Sequence, residues 1–409
     1  MPSQYSQWFT KIRKFVVKWL TKLWKSFKFL GGLCKQAFLA AIAFFKQRPS
    51  IVVAFVFLLF FGSIAMSALI NVPHQFEASL IVKELSFNTQ KQNQLLLNSL
   101  YEISELAIQG QQTLTLQGKF ANEKIPQLDR IDTLTIELNN QQSLWKIAPS
   151  DRNTPSEIEI LELRLNHLTT VEGLNYNPFN NNKLAFSLQP ANSNESSDRP
   201  NEIDLYLGTQ PLILTLEGYQ LKNLELPPEI NPSQPLELTF TPDIPEIQLN
   251  LPETTFFSAN LPNLEQIDGT NWFWGNLAVK DTQLYTLERT GSEIADELYR
   301  STIVEGKIRM AQQELTLEPQ QFFLIDPPGI EKIRAIQIQE KGLEVRVSGT
   351  THQIKVGLDP DFPISTIQSN WIARHFPREI VIAIITFCTG MTASLLTWLV
   401  QNIFKTSQT

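Results

Sequence analysis

Residues 51–70 read IVVAFVFLLFFGSIAMSALI, an uninterrupted apolar run that carries no charged side chain. A helix rises about 1.5 Å per residue, so about 20 apolar residues cross a hydrocarbon core about 30 Å thick. We therefore predict a first transmembrane helix over residues 50–72. A second apolar run near the C-terminus predicts another over residues 378–404. The two predicted helices enclose a long body, residues 73–377, and the second is followed by a short tail, residues 405–409.

The charges divide the chain into a basic head and an acidic body. Residues 1–76 contain ten Lys or Arg residues and no Asp or Glu, whereas residues 77–377 contain 22 basic and 40 acidic residues. Basic segments beside a transmembrane helix remain on the cytoplasmic side. We therefore expect both termini in the cytoplasm and residues 73–377 outside it, beyond a plasma or thylakoid-type membrane. An acidic body argues against nucleic acid as a partner, because phosphate binding requires clustered Lys and Arg.

The head, residues 1–49, has the pattern of amphipathic helices lying on the cytoplasmic membrane face. Lysines recur there every three or four positions and alternate with aromatic and aliphatic residues. The residues predicted to lie at the membrane surface, facing anionic lipids of the inner leaflet, are Lys11, Lys14, Lys18, Trp19, Lys22, Trp24 and Lys25. Two alternatives remain open: an organelle targeting peptide, or a helix whose apolar face packs on a cytoplasmic protein.

The body has the period-two alternation of β-strands. Stretches such as Leu212-Ile-Leu-Thr-Leu216 and Leu343-Glu-Val-Arg-Val347 place apolar residues on one face and polar residues on the other. We therefore predict a mainly β fold, in which a large extracytoplasmic β-rich domain lies between two transmembrane α-helices. Residues 292–300 (SEIADELYR) are the best helix candidate in the body, with Ser292 as N-cap. Residues 95–106 fit either a helix or a strand.

A short motif predicts that the body contains a repeat. Leu-Thr-Leu begins at Leu114, Leu214 and Leu315, about a hundred residues apart. Each copy follows a strand that ends in glycine, and each precedes a proline and then another alternating strand. This order predicts three stacked β modules, and the alternative is chance recurrence in a β-rich chain. The predicted modules are residues 77–176, 177–277 and 278–376.

Small residues on both predicted transmembrane helices favour pairing of the two helices, because small side chains let helix backbones approach closely in lipid. Pairing would hold both ends of the body at one place in the membrane. The alternative is that small residues are simply common in spanning helices. The predicted pairing residues are Gly62, Ser63 and Ser67 on the first helix and Thr386, Gly390 and Ser394 on the second.

The sequence contains no motif that assigns an enzymatic activity. The four histidines form no H-x-x-H or H-E-x-x-H group, the body holds no cysteine, and no nucleotide-binding or nucleophile-elbow motif is present. We therefore expect no catalytic residue, no cofactor and no metal. The acid pairs Glu157/Glu159 and Asp359/Asp361 fit solvated strand faces better than they fit paired catalytic carboxylates.

Trp272 and Trp274 are the candidate ligand or interface residues, in the aromatic cluster Asn-Trp-Phe-Trp-Gly-Asn at residues 271–276. Tryptophan rings stack on sugars or lie at interfaces, because they combine a large apolar area with one hydrogen-bond donor. The alternative is that the cluster forms a corner of the core.

These observations favour a non-enzymatic envelope scaffold or interaction protein, which is anchored in the membrane and has protein partners in the envelope. The first alternative is a lipid or hydrophobe conduit, because chained amphipathic strands can form an apolar groove. In this respect the alternating strands from Gly306 to Gly349 resemble those of bridge-like envelope proteins of the AsmA kind. The second alternative is a carbohydrate-binding or carbohydrate-active domain.

Overall fold

The structure is a computed structural model that describes residues 49–67, 70, 72–191, 200–222, 224, 227–228, 230–232, 234–252, 254–262, 271–290, 296–368, 376 and 378–404. The chain divides into two compact units. One unit contains both described helices, and the other, Val72–Ser369, is the β-rich body. The seven predicted membrane-surface residues of the head and the predicted tail lie outside the described residues.

Helix α1 spans Pro49–Ser67, and helix α2 spans Arg378–Phe404. The described part of the chain contains one helix that is long and apolar enough to cross a membrane, Glu379–Gln401. The apolar part of α1, Val53–Ser67, is shorter. The predicted span over residues 378–404 therefore has a matching helix, whereas the span over residues 50–72 stays a prediction.

Within their unit, α1 and α2 pack against each other in opposite directions. Ile51, near the start of α1, lies in one apolar cluster with Leu399, near the end of α2. Ile64, near the end of α1, packs against Val381, near the start of α2. The two helices therefore form an antiparallel pair.

The described part of the body is built from antiparallel strands, with a 3-10 helix, Pro126–Arg130, between the fifth and sixth of them. The described strands are β1 (His74–Val82), β2 (Glu84–Thr89), β3 (Gln94–Leu100), β4 (Glu105–Gln109), β5 (Gln112–Ala121), β6 (Thr133–Leu138), β7 (Leu144–Pro149), β8 (Glu159–Leu165), β9 (Thr169–Asn177), β10 (Lys183–Pro190), β11 (Asn201–Tyr206), β12 (Leu212–Glu217), β13 (Tyr219–Leu221), β14 (Leu236–Pro242), β15 (Glu246–Leu251), β16 (Thr255–Asn260), β17 (Asn271–Gln283), β18 (Tyr285–Thr290), β19 (Asp296–Ser301), β20 (Ile303–Met310), β21 (Gln313–Leu317), β22 (Phe322–Ile325), β23 (Gly329–Gln339), β24 (Gly342–Thr351), β25 (Gln353–Gly357) and β26 (Ser365–Gln368).

The alternation of apolar and polar residues determines which side of each strand is buried. In β5, every second residue is buried and the residues between them are exposed. The neighbouring strand β6 matches this pattern, because Leu114 stands opposite Ile136 and Leu116 stands opposite Leu134. Side chains alternate between the two faces of a strand, so the sheet has one apolar face and one polar face.

Seventeen of the described strands form one continuous sheet. The pairings give the order β21-β20-β1-β24-β23-β17-β2-β9-β10-β16-β4-β7-β12-β14-β5-β6-β13. Three smaller groups accompany it, namely β15-β11-β8-β3, β22-β25-β26 and the hairpin β18-β19. The first strand of the body, β1, pairs with β20 and β24, which come late in the chain. The body therefore begins and ends in the same part of the sheet.

The large sheet curls back on itself at two places. Consecutive strands β1 and β2 are separated by Lys83 alone, yet they lie at the two ends of the run β1-β24-β23-β17-β2. Likewise, β12 and β13 are separated by Gly218 alone and lie at the two ends of the run β12-β14-β5-β6-β13. Neighbouring strands lie about 4.8 Å apart, so the outer strands of a flat run of five would be about 19 Å apart. The outer strands here are joined by a single residue, so the run must curl. We call these the first and second closed runs.

The inner faces of the sheets form one continuous apolar core. Its largest fully buried side chains include Trp145, Phe76 and Phe87. In the second closed run, the rings of Phe120 and Phe240 stack with their centroids 5.0 Å apart. The described core is therefore filled with side chains, as expected for a sheet wide enough to enclose its own apolar face.

The predicted helix over residues 292–300 is wrong for its described part, because Asp296–Ser301 forms strand β19 and pairs with β18. The Tyr299 ring meets that of Tyr285 edge to face, with centroids 5.4 Å apart. Cross-strand packing therefore outweighs the local helix signal. The ambiguous segment, residues 95–106, contributes to two strands, β3 and β4.

The three Leu-Thr-Leu copies lie in β5, β12 and β21. In the first two copies, the motif pairs with the alternating strand that follows it: Leu114 stands opposite Ile136, and Leu214 stands opposite Leu238. In the third copy, β21 pairs with β20, while the following strand β23 pairs with β24 and β17. The pairing is thus common to two of the three predicted modules, and the sheet runs across the predicted module boundaries.

Candidate functional site

The two candidate tryptophans face opposite sides of β17. Trp272 is 2% exposed and belongs to the core, whereas Trp274 is 69% exposed. A regular period of two does not explain this difference in exposure, since residues 272 and 274 would then share a face. Strand β17 departs from the regular period here, because its register against β23 shifts between Asn271 and Phe273.

Trp274 lies at the end of a row of residues that crosses five strands on the outer face of the sheet. The register places Trp274 opposite Ala335, Ala335 opposite Arg346, Arg346 opposite Ser79, and Ser79 opposite Lys307. Two small residues therefore separate one aromatic side chain and two cationic side chains. The row therefore places an aromatic ring and positive charges on the outer face of the sheet.

Arg346 lies over the ring of Trp274, with Cζ 5.6 Å from the ring centroid, which is a cation–π geometry. Its Nε is 3.1 Å from Glu344 Oε1, and the same oxygen accepts a hydrogen bond from Ser79 Oγ at 3.1 Å. The carboxylate thus orients the guanidinium against one face of the ring. The large exposed fraction of Trp274 leaves the rest of the ring open to a ligand.

A second guanidinium lies on the same outer face. Arg334 Nε donates to Ser348 Oγ at 3.0 Å, and an Nη of Arg334 donates to Asn276 Oδ1. We call Trp274, Asn276, Arg334 and Arg346 the Trp274 surface. It combines one aromatic ring with an amide and two fixed cationic donors, which is the chemistry that contacts sugar hydroxyls, carboxylates or the polar rim of a protein partner.

Sequence reasoning identified Trp274 but missed Asn276, Arg334 and Arg346 as its neighbours. Arg334 and Arg346 come from strands more than fifty residues further along the chain, and only the register brings them to Trp274. Asn276 lies in the same aromatic cluster, so its position two residues after Trp274 was the available signal.

The predicted helix-pairing residues lie away from the observed contact between the helices. Thr386, Gly390 and Ser394 are exposed on α2, and a Cβ added to Gly62 or Gly390 would have open space around it. The hydroxyls of the two predicted serines on α1 donate to carbonyls of their own helix. Large apolar side chains make the contact instead, and the rings of Phe61 and Phe387 meet edge to face with centroids 5.8 Å apart.

The prediction that the acid pairs lie on strand faces is wrong for Glu157, Asp359 and Asp361, which lie outside the strands. The carboxylates of Glu157 and Asp359 hold loops instead. Glu157 Oε2 accepts hydrogen bonds from the backbone N–H groups of Thr209 at 2.6 Å and Gln210 at 3.3 Å. Asp359 Oδ1 accepts from the backbone N–H of Asp361 at 2.8 Å. Burial raises the pKa of Glu159, the second member of the first pair. In the described residues, no group of three or more His, Cys, Asp or Glu side chains could hold a metal ion.

Comparison of the chain with protein-family models, with curated proteins and with solved structures finds no match.

Proposed function

We propose that this chain is a membrane-anchored, non-enzymatic scaffold or interaction protein of the cell envelope. In this proposal, the N-terminal head and α2 hold the chain at the membrane, and the β-rich body extends outside the cytoplasm to contact protein partners. The lysine-rich head contacts the anionic lipids of the inner leaflet. The charge difference between head and body supports this sidedness, because basic segments remain in the cytoplasm.

The filled core of the body is the observation that carries the proposal. A conduit for lipid or another hydrophobe requires an apolar trough that is open to its cargo. In the described body, the apolar faces of both closed runs point into one buried core, and residues such as Leu80, Ile333 and Leu216 have no exposed surface. A body whose apolar strand faces are buried in its own core suits a scaffold, so we favour the scaffold over the conduit.

The exposed side chains of the helices support the membrane anchor. Large apolar residues on α2, among them Ile382, Phe387 and Leu396, are exposed. Exposed apolar surface of this extent is unfavourable in water and suits the interior of a bilayer. The same holds for Phe57 and Phe60 of α1, which is consistent with a second span.

The Trp274 surface supports carbohydrate binding as the second candidate function. Arg346 covers one face of the ring, and the exposed remainder can stack on a sugar while Asn276 and the guanidinium groups donate to its hydroxyls. This function would make the chain a carbohydrate-binding scaffold and requires no catalytic residue.

Site-specific photo-crosslinking in native membranes tests the leading proposal. A photoreactive amino acid replaces Trp274 in one variant and Lys119, an exposed residue of β5, in a matched control. We expect a discrete protein adduct at position 274 and a weaker or different pattern at position 119. Equal patterns at both positions would argue against the Trp274 surface as the interface, and an adduct with glycan alone would favour the second candidate.

Protease accessibility tests the sidedness. A protease added to intact spheroplasts should digest the body, and the same protease added to inverted vesicles should leave it intact. The reverse result would overturn the proposed location. Stoichiometric lipid in the body of the purified chain would favour the conduit over the scaffold.

A further inference from the structure

Two guanidinium groups bridge the same three strands on the outer face of the first closed run. Arg334 of β23 reaches Asn276 of β17 on one side and Ser348 of β24 on the other, where Arg334 Nε is 3.0 Å from Ser348 Oγ. Arg346 of β24 lies over the ring of Trp274 of β17. The two arginines therefore occupy neighbouring positions beside one exposed aromatic ring.

The two guanidinium groups differ in what balances their charge. Arg346 Nε is 3.1 Å from Glu344 Oε1, so the charge of Arg346 is paired within the chain. Arg309, in β20 of the same sheet, is paired in the same way with Glu314 at 2.7 Å. Arg334 is held by a hydroxyl and an amide oxygen, both neutral, and forms no ion pair with any residue that the structure describes. The Trp274 surface therefore presents one positive charge that no carboxylate of the described chain balances.

The contacts of Arg334 leave most of its donors available to a ligand. A guanidinium carries five N–H groups, and the two contacts use two of them. The side chains of Arg334, Asn276 and Trp274 are all exposed. Because Asn276 Oδ1 accepts from Arg334, the amide N–H groups of Asn276 are left to donate as well. These donors are held in place by the chain itself, which lowers the entropic cost of binding.

The spacing of these groups suits a sugar that stacks on the ring. Trp274 and Asn276 are two residues apart on β17, and Arg346 and Ser348 are two residues apart on β24. Two residues of extended chain span no more than about 7 Å. A sugar stacked on the open part of the Trp274 ring, or the next sugar along, can therefore reach the donors of Arg334.

We propose that the Trp274 surface binds an acidic glycan, and that Arg334 pairs with a carboxylate of that glycan. This inference rests on the carbohydrate-binding function proposed above and names the class of sugar. A carboxylate matches the unpaired guanidinium, because charge-assisted hydrogen bonds to its planar fork are stronger than hydrogen bonds to a neutral hydroxyl. A sugar also offers an apolar ring face to Trp274 and hydroxyls to Asn276. Sugars that carry a carboxylate are uronic acids, so a uronic acid polymer is the expected ligand.

Isothermal titration of the purified full chain in detergent tests the inference with matched probes. The acidic probes are tetrasaccharides of glucuronic, galacturonic or mannuronic acid. Each is compared with the same tetrasaccharide after reduction of its carboxyl groups to primary alcohols. We expect at least one acidic probe to bind about tenfold more tightly than its reduced form. Equal affinities within every pair would overturn the inference and leave carbohydrate binding standing, whereas no binding of any probe would overturn both.

Substitutions test whether the named residues carry the binding. Arg334→Gln removes the charge and keeps an amide donor, so it should abolish the preference for the acidic probe. Lys119→Gln removes an exposed cation of β5 and is the matched control, which should retain the preference. A preference that persists in Arg334→Gln would overturn the role of Arg334. Trp274→Ala should weaken the acidic and reduced probes alike, because both stack on the ring, and unchanged binding would contradict the site.

A peptide of four glutamates distinguishes an acidic glycan from an acidic segment of a protein. The peptide carries carboxylates but no sugar ring to stack on Trp274. We therefore expect it to bind more weakly than the preferred acidic tetrasaccharide. Equal or tighter binding of the peptide would overturn the glycan as the ligand and favour an acidic protein partner at the same surface.

Discussion

Gly218 is the residue at which the second closed run turns from β12 into β13. Its φ is +64°, a backbone conformation that glycine adopts without the steric penalty other residues meet. A Cβ added there would lie 2.7 Å from Ser143 Oγ. Because that hydroxyl is itself bound to the Gly218 carbonyl, it cannot move aside without losing its hydrogen bond.

We therefore predict that Gly218→Ala lowers the free energy of unfolding by about 1–3 kcal/mol. Denaturant unfolding of the full chain measures the change. Gly329→Ala is the matched control, because Gly329 has φ +88° but open space around the added Cβ, so only the backbone penalty of about 1 kcal/mol applies. Equal losses for the two variants would show that the contact with Ser143 contributes nothing.

A second prediction at this scale concerns Glu84, at the start of β2. Burial raises the pKa of Glu84 above its ordinary value of 4.5, and the nearby Glu172 carboxylate raises it further. The folded state therefore binds this proton more tightly than the unfolded state does. The contribution of Glu84 to the free energy of unfolding therefore falls as the pH rises from about 4.5 through the raised pKa.

Glu84→Gln should remove this pH dependence and raise stability at pH 7, by less than about 1 kcal/mol because the half-buried carboxylate is screened by solvent. Thermal unfolding between pH 4 and 8 measures the difference between the variant and the natural chain. Glu172→Gln serves as control and should retain most of the dependence, because burial is the larger cause. An identical pH profile for Glu84→Gln and the natural chain would contradict the prediction.

At the scale of elements, α1 and α2 are apolar on several faces, but each helix contacts the other through only one of them. The buried positions of α2 include Val381, Cys388 and Leu399, which recur at helical spacing. Thr386, Gly390 and Ser394, the small residues of α2 predicted for pairing, lie on a different face and are exposed. Interdigitated large side chains therefore make the contact, and close backbone approach plays no part at Gly62 or Gly390.

Cysteine crosslinking tests this arrangement. In a chain with Cys34 and Cys388 replaced by serine, the pair Ile64→Cys with Val381→Cys should form a disulfide on mild oxidation, because these two positions pack together. Gly62→Cys with Gly390→Cys is the control and should remain reduced. The opposite pattern would show that the helices pair through their small residues.

At the scale of the whole molecule, the described residues of the body form one large sheet and one main core, to which the smaller sheets contribute. The first and second closed runs lie at different parts of this sheet, yet their inner residues belong to the same cluster. Two regions that share a core lose their contacts together, so the body should unfold as one cooperative unit.

Substitutions in the two closed runs should therefore shift the same transition. Ile333→Ala in the first run and Leu216→Ala in the second should each cost about 2–5 kcal/mol. Scanning calorimetry of the full chain would show one shifted transition for each variant. Tyr299→Ala, in the hairpin β18-β19 outside this sheet, is the control and should shift it little. Two separate transitions, each sensitive to only one variant, would contradict a single cooperative unit.

The sequence by itself determined that the body is mainly β, because the alternation of apolar and polar residues is local and reports directly which face of a strand is buried. It also predicted the apolar helix near the C-terminus, since length and hydropathy suffice for that. It did not predict β19, because the local sequence there favours a helix and only pairing with β18 makes it a strand. Local patterns of this kind predict a helix or a strand, but they do not predict which other elements it packs against or pairs with.

Only the tertiary structure decided which strands are neighbours, because register depends on contacts between residues far apart in the chain. It placed Trp272 in the core and Trp274 outside beside Arg346, although the two tryptophans are two residues apart. It also distinguished the third Leu-Thr-Leu copy from the first two, and it closed the two runs of strands at Lys83 and Gly218. Each of these outcomes depends on how strands far apart in the chain bury their apolar faces in one shared core. No single stretch of the chain can specify that arrangement.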